Sequence, residues 1–423
     1  MDIERLSQIT GIDTTSGPEE PVWERLERRP DKRDAKTGLV LKGGRPAPTL
    51  SNAVRILTED SRWSGRIKYN EFSNAVEIDG IAVADHIESG VNLWVDRTYM
   101  MSTPTDRISE AIVYIARQNL YHPIREHIRG IEWDGTERVD SLLSEYAGVV
   151  DTPLTREISR RFLISCIARI YDVGCKVDTC LVLVGPQGAR KSTFLRKLAM
   201  RQEYYSDTQL DLGTKDSYQS LAGGVWIYEL AELASFSKRD QETIKSFISA
   251  SVDRYRPSYG RWTVTRPRQT VLCGTTNNSE FLSDSTGNRR FWTVKVGAIK
   301  LLELGRDVEQ IWAEALAYYR QGERWWLEET GAAELEDAQE TYRQVDAWEQ
   351  ETLAFLRKTH GEFTARDALV SLGFEDYQIT KSASMRMAAV LQKLGCGRQP
   401  RRREGGSRVS PWKKEWTTKC VDA

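Results

Sequence analysis

Hydrophobic positions change period along the chain, and the changes mark its elements. Leu50–Asp60 (LSNAVRILTED) is spaced as a short helix, and Arg66–Gly80 alternates as two short strands across a turn. From Asp106 to Arg117, the residues Ile108, Ala111, Ile112, Tyr114 and Ile115 recur on one side of a helix. His122-Pro123 breaks that run. A helix, a Trp133–Thr136 turn and a second helix with Thr136 as N-cap follow. Thr155–Tyr171 predicts a helix with a strong apolar face, which leads without a Gly/Ser linker into the apolar run Leu181–Val184, read as a buried strand. Gly185-Pro186-Gln187-Gly188 interrupts the run, and Lys191-Ser192-Thr193 opens an amphipathic helix. Gly224–Glu229 and Gln269–Gly274 read as further strands, and strand–helix alternation predicts an α/β unit with a parallel sheet. Glu334–Lys358 reads as one long charged helix. Ala365–Leu372 and Lys381–Leu394 then precede a basic Gly/Arg hairpin, the pattern of a winged-helix-like module or of a small helical interaction domain. The expected division is a mobile Pro/Gly-rich lead-in over 1–48, a mostly helical region over 49–150, the α/β unit over 151–331, and the connector and basic module over 332–423.

Composition narrows the class. The 423 residues leave room for about two to four domains, and the 40% hydrophobic and 29% charged fractions are those of a globular chain. No apolar run approaches the ~18 to 20 residues of a membrane span, and the start MDIERLSQIT lacks a signal-peptide core. The expectation is a cytoplasmic protein without a membrane partner. The cysteines Cys166, Cys175, Cys180, Cys273, Cys396 and Cys420 form no C-x-x-C pair or Cys/His cluster and read as reduced, mostly core thiols. A net charge of −1 gives no global sign of a nucleic-acid partner, but the basic charge collects at the end: Arg398, Arg401, Arg402, Arg403, Arg408, Lys413, Lys414 and Lys419 face only Glu404 and Glu415.

The strand–turn–helix around Gly185–Thr193 has the parts of a phosphate-binding P-loop. Backbone N–H groups of Gly185, of Gln187 to Arg190 and of the helix N-terminus face phosphates, with Pro186 shaping the turn, while Lys191 reaches the terminal phosphates and Ser192, followed by Thr193, holds Mg²⁺. The residues Gln187, Gly188 and Ala189 complete the loop. Arg190 stands where the usual pattern has Gly, and a side chain there restricts the backbone.

Downstream stretches supply what a hydrolytic site needs. Glu229 ends an apolar strand and would hold Mg²⁺ or polarise water, with Glu232 in support. Thr275-Thr276-Asn277-Asn278 follow the third strand, where an Asn or Thr would hydrogen-bond the γ-phosphate or orient the water. Arg289 or Arg290 would neutralise developing charge, in the same subunit or in a neighbour's site. Between them, Asp253–Trp262 interleaves Arg254, Tyr255, Arg256, Tyr259 and Arg261, with Arg266 and Arg268 beyond, as single-stranded DNA contacts require; each stacked base is worth ~1 to 3 kcal/mol. Packing alone accounts for such a hairpin equally well. In the C-terminal module Lys381, Arg386, Arg401, Arg402, Arg403 and Arg408 are the candidate phosphate contacts.

Taken together, YHPIREHIRGIEWDGTERVDSLL, GCKVDTCLVLVGPQGARKSTFLRKL, WIYELAEL, DRYRPSYGR and GTTNNSEFLSDSTGNRRFW resemble the virulence-associated protein E (VapE/VirE-like) family of phages and mobile elements, over roughly residues 50 to 330. The resemblance implies an AAA+-like, superfamily 3 ATPase fold and an ATP- and Mg²⁺-dependent DNA helicase acting as a ring, a hexamer, in replication of a mobile element. Host or phage replication proteins are its implied partners. It implies Lys191 and Ser192 as phosphate and Mg²⁺ ligands, Glu229 and Glu232 as the acidic motif, Asn277 as sensor, and Arg289 or Arg290 as finger. Two other readings stay open: an ATP-gated initiator that recruits a host helicase, and a non-enzymatic DNA-binding or anti-host protein.

Overall fold

Thr49 starts the first helix, its hydroxyl accepting the Asn52 N–H at 3.2 Å, and apolar spacing then buries Ala53, Ile56 and Leu57 of α1 (Leu50–Glu59). The structure, a computed structural model, describes residues 33–209, 211, 214–233, 238–256, 263–278, 288–340, 348–400, 402–404 and 407–414. Residues 33–48, expected to be a linker, are tied down: the Asn52 side chain bonds the backbone of Val40 and Ala47, and Leu39 joins the core.

The region expected to be mostly helical also holds a four-stranded sheet. Its strands are β1 (Ile67–Asn70), β2 (Ala75–Ile78), β3 (Ile81–Ala82) and β4 (Leu120–Tyr121), in the order β3-β2-β1-β4. Ile67, Tyr69 and Ile78 share a core with α1, α2 (Asp85–Tyr99) and α3 (Thr105–Gln118) through Leu57, Val95, Ile108 and Ile112. Tyr114, expected on the apolar side of α3, is 55% exposed.

His122 caps α4 (Pro123–Arg129) and joins the two halves of the protein. Its Nδ1 accepts the Arg125 N–H at 3.2 Å, which leaves Nε2 to donate to Gln269 Oε1 at 2.7 Å; Gln269 in turn donates to the Glu71 carbonyl. Burial lowers the His122 pKa from 6.5 to about 4. Between those values the unfolded chain holds the extra proton, so stability falls as pH drops through that window, by ~3 kcal/mol in full. Thermal unfolding against pH checks this: His122→Gln should flatten the profile between pH about 6.5 and about 4.

The second helix expected after Thr136 is absent. Only a five-residue π-helix, Leu142–Tyr146, forms, and the Thr136 N–H donates to Asp134 instead of Thr136 capping a helix. Buried Glu314 is the reason: its carboxylate takes the N–H groups of Arg138 (2.6 Å) and Val139 (3.0 Å), an alternative to helical bonding. α5 (Pro153–Tyr171) starts at a Thr152/Thr155 capping box and is buried all round from Phe162 to Ile170, more than the single apolar face expected.

The central unit is a three-layer α/β structure. Its elements run β5 (Cys180–Val184), α6 (Lys191–Leu198), β6 (Tyr205–Ser206), α7 (Lys215–Ala222), β7 (Ile227–Leu230), α8 (Lys238–Ile248), the antiparallel hairpin β8 (Val252–Tyr255) and β9 (Val264–Pro267), β10 (Val271–Thr276), β11 (Phe291–Lys295) and α9 (Leu301–Arg320). The sheet is parallel throughout, in the order β11-β5-β10-β7-β6. Leu181, Leu183, Cys273 and Trp292 face Phe162, Leu195 and Trp312, while Val182, Tyr228 and Leu272 face Ile244 and Phe247. Period-two burial on both faces makes the strands read as unbroken apolar runs. Trp312 donates to the Leu198 carbonyl at 2.9 Å, fixing the end of α6.

The connector is two helices, α10 (Glu329–Glu340) and α11 (Glu349–Lys358), with 341–347 outside the described residues. The C-terminal module has its own core of Leu356, Phe363, Leu369, Met387, Leu391 and Trp412. It comprises β12 (Glu362–Phe363), α12 (Ala365–Ser371), α13 (Lys381–Lys393), β13 (Cys396–Arg398), the hairpin β14 (Arg402–Glu404) and β15 (Ser407–Val409), and β16 (Trp412–Lys414). β16 lies between β12 and β13. No described helix is long and apolar enough to cross a membrane.

Candidate active site

The site forms where β5 ends. Gly185 is buried, and a Cβ there would meet Val296 Cγ2 at 2.7 Å, so the turn needs glycine; Gly188 has φ +82°. Pro186, Gln187, Gly188 and Arg190 are exposed, and Ala189, Ser192 and Thr193 half-buried. Lys191 begins α6 and is buried. Its ammonium donates to the carbonyls of Gly185 (2.7 Å) and Pro186 (3.0 Å) and to Asn277 Oδ1 (2.8 Å) beyond β10. Burial lowers its pKa, opposed by the Glu229 charge.

Arg190 is the helix N-cap at φ 63°, ψ 27°, in the left-handed region that glycine adopts freely and other residues at ~1 to 2 kcal/mol. Arg190→Gly relieves that strain and adds backbone freedom to the unfolded chain; the net expected is a gain of ~0.5 to 1 kcal/mol, read as a raised unfolding midpoint in urea.

Glu229 lies inside β7, one residue before its end, and is 1% exposed. Parallel pairing sets Cys273 beside it, so Thr275 and Asn277 arrive from β10 at the same edge as the loop after β5. Its Oε1 accepts the hydroxyls of Ser192 (2.8 Å) and Thr275 (2.5 Å), and its Oε2 accepts the Tyr205 hydroxyl from β6. Tyr205 is the residue that sequence reasoning missed. Burial and the adjoining carboxylate push its phenol well above the ordinary tyrosine range.

Other candidates stand apart. Glu232 is exposed past β7 at φ 53°, outside the set of hydroxyl contacts on Glu229. Arg289 and Arg290 precede β11, whose Phe291 pairs with Cys180 and Lys295 with Val184, so they sit at the opposite end of the sheet from Lys191, roughly 16 Å away along β5. Arg289 is exposed; Arg290 donates to Ser249 Oγ at 3.0 Å. On the hairpin, Arg254 and Arg256 are exposed and Tyr255 half-buried, whereas Tyr259 and Arg261 lie outside the described residues. Arg268, expected as a DNA-facing cation, is fully buried against Asp253 at 2.6 Å. A charge desolvated there needs its ion pair, which removes it from the surface. In the C-terminal module Lys381 and Arg386 are exposed on α13, the Arg386 guanidinium lying 4.0 Å from the Trp348 ring centroid. Arg402, Arg403 and Arg408 lie on the β14–β15 hairpin, Arg403 opposite Arg408, and Arg401 is outside the described residues.

The family model of the virulence-associated protein E-like domain matches residues 128–344, just over half of the chain. The chain belongs to the virulence-associated protein E-like family. Its VapE-like domain takes in the whole central sheet and α10, and the β1–β4 sheet and the C-terminal module lie outside it. Comparison with curated proteins gives no match. Among solved structures, the apo C-terminal region of NrS-1 (residues 305–718) is similar at 10% identity over 82% of this chain and 95% of that one, with a TM-score of 0.42. An A-form apo structure of the same region is similar at 14% identity over 67% and 77%, with a TM-score of 0.40.

Proposed function

We propose that this VapE-like protein is an ATP-dependent DNA helicase or translocase of a phage or mobile element, and that the loop after β5 binds ATP with Mg²⁺. The convergence of Lys191, Ser192, Glu229 and Asn277 at one edge of a parallel sheet carries the reading. The donor set fits the ligand: a hydroxyl and a carboxylate 2.8 Å apart are hard oxygen ligands, and an ammonium stands beside a loop whose glycine cannot carry a Cβ. Ser192 and Glu229 would hold Mg²⁺, which supplies charge neutralisation on the phosphates. Lys191 exchanges its loop carbonyls for phosphate oxygens, Glu229 orients and accepts a proton from the attacking water, and Asn277 reports the γ-phosphate. Arg289 is too far from its own Lys191 to act there, which supports a finger reaching a neighbour's site in a ring, the hexamer of the family resemblance. The exposed Arg254 and Arg256 of the hairpin, and Lys381 with the β14–β15 arginines, offer phosphate contacts to DNA. The strained Arg190 favours a second reading, an ATP-gated assembly factor with slow turnover. Strand displacement separates them: ATP-driven unwinding by an oligomer supports the motor, and ATP-driven assembly without unwinding supports the gate.

A further inference from the structure

Thr49, Thr152, Thr214, Thr364 and Thr380 cap α1, α5, α7, α12 and α13, each from an extended backbone and each with its hydroxyl accepting an N–H of the first turn. α6 departs from this habit. Its N-cap is Arg190, left-handed at φ 63°, ψ 27°, and the side chain makes no cap bond. The position forgoes both the hydroxyl that would cap the helix and the glycine that would take up the backbone without strain. Arg190 is exposed, and among the described residues it has no hydrogen-bond or ion-pair partner to offset either loss. A residue that breaks two local rules with no gain inside the protein points to a gain from a ligand.

The surroundings of Arg190 indicate the ligand's chemistry. It directly precedes Lys191 at the uncapped start of α6, the end of a helix that favours anions. The protons of the Lys191 ammonium are all engaged, by the carbonyls of Gly185 and Pro186 and by Asn277 Oδ1. The guanidinium next to it carries a fork of N–H donors, none of them in use. Glu229 places a carboxylate at the same edge, 2.8 Å from the Ser192 hydroxyl, so a triphosphate arriving there meets negative charge that one ammonium does not balance. Arg289 and Arg290 stand at the opposite end of the sheet and do not supply the difference in the same subunit.

We propose that Arg190 is a phosphate-binding residue: when a nucleoside triphosphate occupies the loop after β5, its guanidinium donates to the phosphate oxygens and supplies, in the same subunit, a positive charge that glycine in that place would lack. The inference rests on the nucleotide-binding reading of the site. It gives the left-handed backbone of Arg190 a function. Stability is given up for phosphate affinity, so the two move in opposite directions when the residue is replaced by glycine.

The test is the Kd of the full chain for a fluorescent N-methylanthraniloyl ATP with Mg²⁺, measured beside the urea unfolding midpoint, for the parent, Arg190→Gly, Arg190→Gln, Arg190→Lys and Lys191→Ala. Arg190→Gly and Arg190→Gln should each weaken binding about tenfold or more, the usual worth of a charge-assisted hydrogen bond. Arg190→Lys keeps the charge without the fork and should lose less. Arg190→Gly should at the same time unfold at a higher urea concentration, which a variant that merely damages the loop would not do. Either neutral variant binding as tightly as the parent overturns the proposal, and tighter binding by Arg190→Gly means that the side chain obstructs the phosphates. Failure of the nucleotide-binding reading looks different: a parent that does not bind the analogue, or that binds it equally well after Lys191→Ala. The unfolding midpoints identify a variant that does not fold, and the other neutral variant then decides.

Discussion

Lys191→Ala should lose ATP turnover by at least ~100-fold, the usual cost of removing one preorganised charge from a phosphoryl-transfer site. The ammonium is buried and held by three oxygens, those of Gly185, Pro186 and Asn277, and the same oxygens aim it at the space in front of the loop. A neutral methyl group offers the triphosphate no counter-charge, and Asn277 loses the partner that orients its amide. Phosphate release measures the rate. Thermal unfolding separates chemistry from binding, because a ligand that binds only the native state stabilises it by RT ln(1 + [L]/Kd). The parent should melt higher in excess ATP·Mg²⁺, and the variant should not. Its melting temperature without nucleotide should stay close to the parent's, since the loop carbonyls can turn to water.

Asp253→Ala should destabilise the protein by ~3 to 5 kcal/mol, the cost of leaving a buried charge without its partner. Arg268 and Asp253 have side-chain exposures of 0% and 2%, with contacts of 3.0 Å from Nε and 2.6 Å from Nη2. The guanidinium also lies over Phe247 and donates to its carbonyl. In a domain of this size each kcal/mol moves the melting temperature by about 2 to 4 °C, so a fall of roughly 6 to 20 °C is expected by circular dichroism. Replacing both partners with apolar residues, Asp253→Leu with Arg268→Met, should recover most of the loss. A shift of only a degree or two for Asp253→Ala would mean that the pair behaves like a solvated one.

What the sequence could disclose follows from how local each determinant is. The strand, turn and helix around Lys191 are contiguous, so their chemistry is legible in one stretch. Glu229 and Asn277 are legible because each follows an unbroken apolar run, and a parallel sheet buried on both faces brings the ends of such runs together. Tyr205 escapes because a two-residue edge strand has no period to read. Arg268 is misread because its neighbours are basic and aromatic, while burial by Asp253 and Phe247 is a property of the folded hairpin base. The missing helix after Thr136 depends on Glu314, 176 residues from Arg138, which no window of local pattern includes. The place of Arg289 at the far end of the sheet depends on the parallel register of β11 with β5, which composition does not encode. The strands β3 and β4, two residues each, are hidden for the same reason as β6.

The most direct test of the account is ATP hydrolysis by the unaltered protein, measured with and without single-stranded DNA at fixed low salt, where phosphate contacts are strongest. The account predicts turnover that rises when DNA is added and falls back as salt is raised. Absence of turnover under both conditions, together with a melting temperature unmoved by excess ATP·Mg²⁺, would contradict it, because Lys191, Ser192, Glu229 and Asn277 would then converge on a site that takes no nucleotide.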